Sequence, residues 1–311
     1  MNTTSNAVPE SPRDPPAVTP APMAATRPMY WSVRRELWEN RSIYIAPLAV
    51  AVVILLGFLV SMVKLPQRAR AASAMDPAAY GGMLDHPYGI AATLVLLTAF
   101  LVGVFYSLDA LHGERRDRSI LFWKSLPVSD LTTVLAKASI PLVILPLLIF
   151  VIIVATQTIM LLLGTAVLLA NGLSAGPLWT QLPLFRMALA LLYTLIVLAL
   201  WYAPLYGWLL LVSGWARRAT FLWAVLPPLV LCVVEKIAFG TWYLASLLKY
   251  RSTGWYSEAF NVNGHGGVPL DPLALLDPAR FLGTPGLWIG LVVAAAFLAA
   301  AIGQRRYREP I

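Results

Sequence analysis

Charge is scarce in this sequence: of 311 residues only 12% are Asp, Glu, Lys or Arg, about half the share of a soluble globular domain. Cysteine is scarcer. Cys232 stands alone inside an apolar run, which excludes a disulfide framework and reads as a small hydrophobe. The three histidines, His86, His112 and His265, are isolated from one another, and His112-Gly113-Glu114 lacks the spacing of a zinc-protease helix. No metal set and no catalytic set is identified. The dipeptide Gly-Lys occurs nowhere, so the chain has no Walker-type phosphate loop. A nucleotide that drives it has to bind another chain.

Apolar residues are abundant: they make up 59% of the chain, and its mean hydropathy is +0.72. They gather in runs of the size needed to cross a bilayer, roughly 20 residues each. Six such spans are predicted, at 43–63, 88–108, 139–170, 187–213, 219–245 and 287–303, which makes the fold class an all-α integral membrane protein. Asn171-Gly172 and the Ser174 to Pro177 cluster place a turn after the third span.

Lys and Arg set the orientation, because cytoplasmic loops retain the excess of positive charge. With the N-terminus inside, fifteen of the 23 basic residues fall on inner segments and seven on outer ones, and Lys236 lies within the fifth stretch. Both termini are therefore expected in the cytoplasm of a cell inner (plasma) membrane. The net charge of +8 reads as a topology signal and an attraction to anionic lipid, and no nucleic-acid partner is expected.

Residues 1–28 hold seven of the 24 prolines and no apolar core, so they read as a disordered tail and not a signal peptide. Tyr30 to Arg41 follow. At helical pitch this segment sets Tyr30, Trp31, Val33, Leu37 and Trp38 on one side and Ser32, Arg35, Glu36 and Glu39 on the other, as in a helix lying in the inner interface. Arg34 and Arg41 fall within the apolar arc and have to snorkel. The plainer alternative is an ordinary basic flank of the first span.

In the fifth stretch only sixteen residues precede Glu235-Lys236, about 24 Å of helix, and Pro227-Pro228 interrupts them. A single straight span is not expected there. Residues 237–248 are apolar but too few to cross, the size of a re-entrant or interfacial segment, and a second short amphipathic piece covers 270–282. Glu235 and Lys236 are the only charges inside a hydrophobic stretch, which makes them a candidate intramembrane polar site. Adjacent residues diverge by about 100° on a helix, so a helix-junction role competes with a substrate or ion role. Tyr193, Trp201, Tyr202, Pro204, Tyr206, Trp208, Trp223, Pro227 and Pro228 give the later spans uncharged aromatic walls, suited to an amphipathic drug, peptide or lipid. Helix packing and aromatic belts explain most of them equally.

The loop at 109–137 carries the most information. Ser119 can cap a short helix through Leu126, which Pro127 ends, and Ser129 can cap the next helix, past Lys137. The short helix bears Ile120, Leu121, Phe122 and Trp123, an apolar cluster that must lie on the membrane or dock in a partner's groove. A positive-inside anchor with no partner is the bland alternative.

This block resembles the cytoplasmic loop of permease subunits of the ABC type-2 exporter family, with the form E-R-x-x-G-[TS]-hydrophobics-[SL]-P-[VI]-S followed by a lysine near the third span. Glu114, Arg115, Ser119, Leu126, Pro127, Val128, Ser129 and Lys137 match, and Arg118 stands where the family often has glycine. The resemblance extends to the architecture over about 30–308, and 29–308 is taken as a single six-span permease domain. It implies a coupling helix seated in a cleft of a separate ABC ATPase subunit. Glu114, Arg115, Ser119, Ile120, Leu121, Phe122, Trp123, Leu126 and Pro127 would lie at that contact, with Arg217-Arg218 and the Trp31, Leu37 and Trp38 helix beside them. It further implies two ATPase copies, a second permease copy or paralogue, and ATP and Mg held by the ATPase, with no cofactor on this chain and no enzymatic activity of its own. The alternative function is a non-transporting membrane scaffold or assembly factor that docks a soluble partner.

Overall fold

In hydrocarbon every backbone N–H and C=O must find its partner within the chain, and long apolar runs meet that demand as helices. The computed structural model describes residues 26–72, 77–117, 128–261 and 272–307. These are helical almost throughout, apart from turns and a single antiparallel bridge between Phe260 and Leu276. The helices are α1 (Thr26–Glu39), α2 (Ser42–Met62), α3 (Leu65–Ala72), α4 (Pro77–Asp109), α5 (His112–Arg116) and α6 (Asp130–Ser139). A five-residue π turn, Ile140–Ile144, leads into α7 (Leu145–Ala170). There follow α8 (Gly176–Gln181), α9 (Leu184–Trp215), α10 (Thr220–Phe239), α11 (Tyr243–Ala259), a 3₁₀ turn at Pro272–Leu275, α12 (Pro278–Gly283) and α13 (Pro285–Tyr307). Six helical stretches among the described residues are long and apolar enough to cross a membrane.

Local chemistry explains the irregularities. Pro146 has no N–H to give, and the Leu145 N–H bonds the Ile140 carbonyl five residues back, so the rod from Asp130 to Ala170 widens by one residue instead of breaking. Asn171-Gly172 ends α7 with Gly172 in the left-handed region (φ +69°), the turn expected from the sequence. Ser129 caps α6, its Oγ accepting from the Thr132 N–H at 3.1 Å, also as expected.

The fifth span departs from expectation. Pro227 and Pro228 both lie inside one continuous helix of 20 residues. It ends at Gly240, which takes φ +68°, where an L side chain is unfavourable. The predicted 237–248 segment is therefore not a unit: its first residues close α10 and its later ones open α11. The first helix starts at Thr26, so the last residues of the expected 1–28 tail belong to it.

The core runs along the seams of α2, α4, α7 and α9, with Ile43, Val95, Ile149, Ile153 and Leu210 fully enclosed. α9 and α13 approach closely because residue 207 is glycine: a Cβ there would meet Ala294 O and Phe297 Cβ at 3.3 Å each. Small residues at such crossings are the usual device of membrane helices. α10 stands at the periphery, burying only Ala224 and Cys232.

Candidate functional site

The first helix is turned differently from the reading by hydropathy. Val33 and Leu37 pack on the core, and Glu36, between them on the same face, is 3% exposed. Tyr30, Trp31 and Trp38 face outward, the two indoles at 57% and 67% exposure. Arg34 does not reach past them: its guanidinium lies 5.2 Å from the Trp31 ring and 4.8 Å from the Trp38 ring, a cation–π clip on the outer face.

Glu36 enters a buried charge cluster that gathers residues from five helices. Lys137 Nζ, from α6, donates to Glu36 Oε1 at 2.7 Å, and the Tyr106 hydroxyl, from α4, donates to Oε2 at 2.8 Å. Lys137 also lies 3.2 Å from Glu114 Oε1 in α5. That carboxylate further accepts from Arg35 Nη2 at 3.1 Å and, on its other oxygen, from Arg305 Nη1 of α13. Arg305 Nε donates to Asp130 Oδ1 at 3.0 Å, and Arg35 Nε to Glu39 Oε1 at 2.8 Å. Burial opposes the Arg35 charge, but the Glu39 and Glu114 carboxylates outweigh it and raise its pKa above the ordinary value. Opposite charges alternate through the cluster, which is how desolvated ions remain ionised.

Arg115, adjacent to Glu114, points the other way. Its Nη1 donates to Gly214 O at 2.7 Å, and Ala216 O lies 3.5 Å away, so a cation closes the carbonyl end of α9. Ser213 Oγ returns the favour by accepting the N–H groups of Leu111 and His112, both at 2.9 Å. The short helix α5 is thereby bolted to the end of α9 on one side and to α1, α6 and α13 on the other.

This placement revises the expected site. Glu114 and Arg115, read as contact residues for a partner, are each 6% exposed and hold the base of the loop from inside. Ser119, Ile120, Leu121, Phe122, Trp123, Leu126 and Pro127 lie outside the described residues. Glu235 and Lys236 sit in the last turn of α10 and serve the helix junction. Glu235 accepts from the Thr241 hydroxyl (2.8 Å) and from the N–H groups of Tyr243 (2.6 Å) and Leu244 (2.8 Å), capping α11. Lys236 Nζ donates to Gly240 O at 3.2 Å and lies over the Trp242 ring.

Sequence reasoning missed Glu36, Asp130, Tyr106, Ser213 and Arg305. For Glu36 a signal existed, its register between Val33 and Leu37; for Arg305, at the end of the last span, none did. The string Gly172-Leu173-Ser174-Ala175-Gly176 has the G-x-S-x-G form of a hydrolase nucleophile elbow. It joins two helices, not a strand to a helix, and Ser174 Oγ accepts the Gly176 N–H at 3.2 Å within that turn. Among the described residues no group of His, Cys, Asp and Glu side chains is arranged to hold a metal ion.

Fold and site together define an all-α, multi-pass membrane protein with a charge cluster locked across the bases of its spans. No protein-family model, curated protein or solved structure matches the chain.

Proposed function

We propose that the chain is the membrane-spanning permease subunit of an ATP-binding-cassette exporter of the type-2 class, worked by a separate ATPase through the loop between α5 and α6. The observation that carries this reading is the double anchoring of that loop. Glu114, just before it, and Asp130 and Lys137, just after it, are joined through Arg305 and through each other, so the loop rises from a closed, charge-locked base. A push on the loop is then delivered to α1, α6, α9 and α13 together, the rigid-body displacement that switching between two packings requires. A simple topology anchor has no use for such a mount.

In this reading Ser119 to Trp123, Leu126 and Pro127 contact the ATPase, beside Arg217 and Arg218. Glu114 and Arg115 are positioning residues beneath them. The missing phosphate loop assigns ATP and Mg to the partner, present in two copies, and a second permease copy or paralogue completes the path. The distribution of Lys and Arg puts the cluster and both termini at the cytoplasmic side of the inner membrane.

Copurification tests this. The wild-type chain, extracted in gentle detergent, should bring down a protein with Walker motifs, and Phe122→Asp should lose it. Recovery of no ATPase with the wild type would overturn the reading; recovery of a soluble partner without nucleotide-binding motifs would favour a scaffold.

A further inference from the structure

Between α4, α7 and α9 the helices leave a cleft of about 440 Å³. Phe100 lines it from α4, Pro141 and Pro146 from the π turn and the start of α7, Ala199 and Tyr202 from α9, and Trp255 from α11. A second cavity of about 230 Å³ shares Pro146, Leu195 and Ala199 as a common wall.

The wall chemistry restricts the occupant. Among the described residues no charged side chain lines the larger cleft. The Thr93 and Thr194 hydroxyls are committed to the Gly89 and Ala190 carbonyls at 2.9 and 2.8 Å, and the Tyr202 hydroxyl to Ser252 O at 2.8 Å. The Tyr206 hydroxyl and the Trp255 indole also line the cleft, so its wall is apolar with a few polar atoms, the mix usual for a small-molecule site. A helix of a second copy, about 10–12 Å across with its side chains, could enter a cleft of this volume only by single side chains. A linear hydrocarbon tail fits, and the volume lies within the range of about 300–1,000 Å³ usual for small-molecule sites.

The cleft is also wired to the charge cluster. Lys137, paired with Glu36 and Glu114, is one helical turn before Pro141 in the same rod. Pro141 itself lies in the π turn, a place where a helix changes direction.

We propose that this cleft receives the hydrocarbon tail of an amphipathic cargo drawn sideways from the bilayer, an inference that rests on the exporter reading and names its substrate class. The cargo's polar head stays outside the cleft, while its tail lies along the wall formed by Pro146, Leu195 and Ala199.

The test uses the full chain in phospholipid nanodiscs with a lysophospholipid carrying a diazirine in its acyl tail. Photolabelling should map to Phe100, Ala199 and Tyr202 well above the level at Val230 and Leu231 on the outward face of α10, which reports ordinary bilayer contact. Filling the seam by Ala199→Trp, or independently by Leu198→Trp, should lower cleft labelling about tenfold, the change produced by about 1.4 kcal/mol of lost affinity, and leave α10 labelling unchanged. Excess unlabelled lysophospholipid should compete with the probe in the wild type.

Cleft labelling no stronger than that of α10, or insensitive to both tryptophans, overturns the site. Strong labelling that lysophospholipid does not displace identifies a structural lipid and overturns the cargo assignment. If an ATPase copurifies but the cleft does not label, the exporter reading stands and this inference fails. If the cleft labels and no ATPase is recovered, the exporter reading fails and the cargo assignment with it.

Discussion

Lys137 Nζ and Glu36 Oε1 meet at 2.7 Å across 101 residues of sequence, with each side chain 3% exposed. Breaking a buried pair by removing one partner leaves the other charge desolvated, at a cost of about 3–5 kcal/mol. Lys137→Met should therefore lower the thermal unfolding midpoint in detergent sharply. Glu36→Gln, which keeps an oxygen for the Tyr106 hydroxyl, should cost less. A Lys137→Met variant as stable as wild type would remove the cluster from any structural role.

Glu114 is the shared acceptor of Arg35, Lys137 and Arg305. Glu114→Ala leaves these cations with fewer carboxylates, and the C-terminal end of α13 should loosen first, because Arg305 loses one of its two acidic partners. Trypsin cleavage after Arg305 and Arg306 should accelerate in Glu114→Ala relative to wild type. Cleavage on the α10–α11 side, after Lys249, should not change.

Ala219 is the only non-glycine residue with positive φ among the described residues (φ 49°, ψ 55°). It turns the chain from the α9 end, held by Arg115 and Ser213, into α10. The left-handed region costs an L residue roughly 1–2 kcal/mol, so Ala219→Gly should stabilise the fold by about 1 kcal/mol after the added freedom of the unfolded chain is set against it. Ala219→Val should destabilise it by more. A neutral valine would contradict this backbone geometry.

Gly207 lets α9 lie against the backbone of α13. Gly207→Leu has no space and should cost about 1–3 kcal/mol by overpacking, measured as a fall in thermal stability with the same helix content by circular dichroism. Gly303, whose Cβ position is open, serves as the matched control: Gly303→Leu should be nearly silent.

Glu235→Ala removes three hydrogen bonds at the start of α11. A lost helix cap costs about 0.5–2 kcal/mol. Amide exchange at Tyr243 and Leu244 should rise, while exchange in α6 and α13 stays as in wild type. Unchanged exchange at Tyr243 and Leu244 in Glu235→Ala would remove Glu235 from the junction.

The spans were legible from hydropathy because a bilayer imposes length and polarity on a helix wherever its neighbours lie. The turns at Gly172 and Gly240 and the cap at Ser129 follow local chemistry. The turn at 172 and the Ser129 cap were read from the sequence, while Gly240, which splits the apolar run 237–248, was passed over because length alone was weighed there. Pro227-Pro228 suggested a break that the helix absorbs, since prolines are tolerated in membrane helices whose freed backbone groups find other partners.

The candidate site divides in the same way. In the sequence, scarce charge confined to short blocks singled out 109–137, and the structure takes Glu114, Asp130 and Lys137 of that segment into the cluster. Nothing in one-dimensional order could join Glu36, Glu114, Asp130, Lys137 and Arg305, because their pairing depends on which ends of six spans are packed side by side. The register of Glu36 between Val33 and Leu37 pointed inward, but an exposed and a buried carboxylate share the same letter. Burial is a property of neighbours, and only the packed helices supply the neighbours that make these charges a cluster.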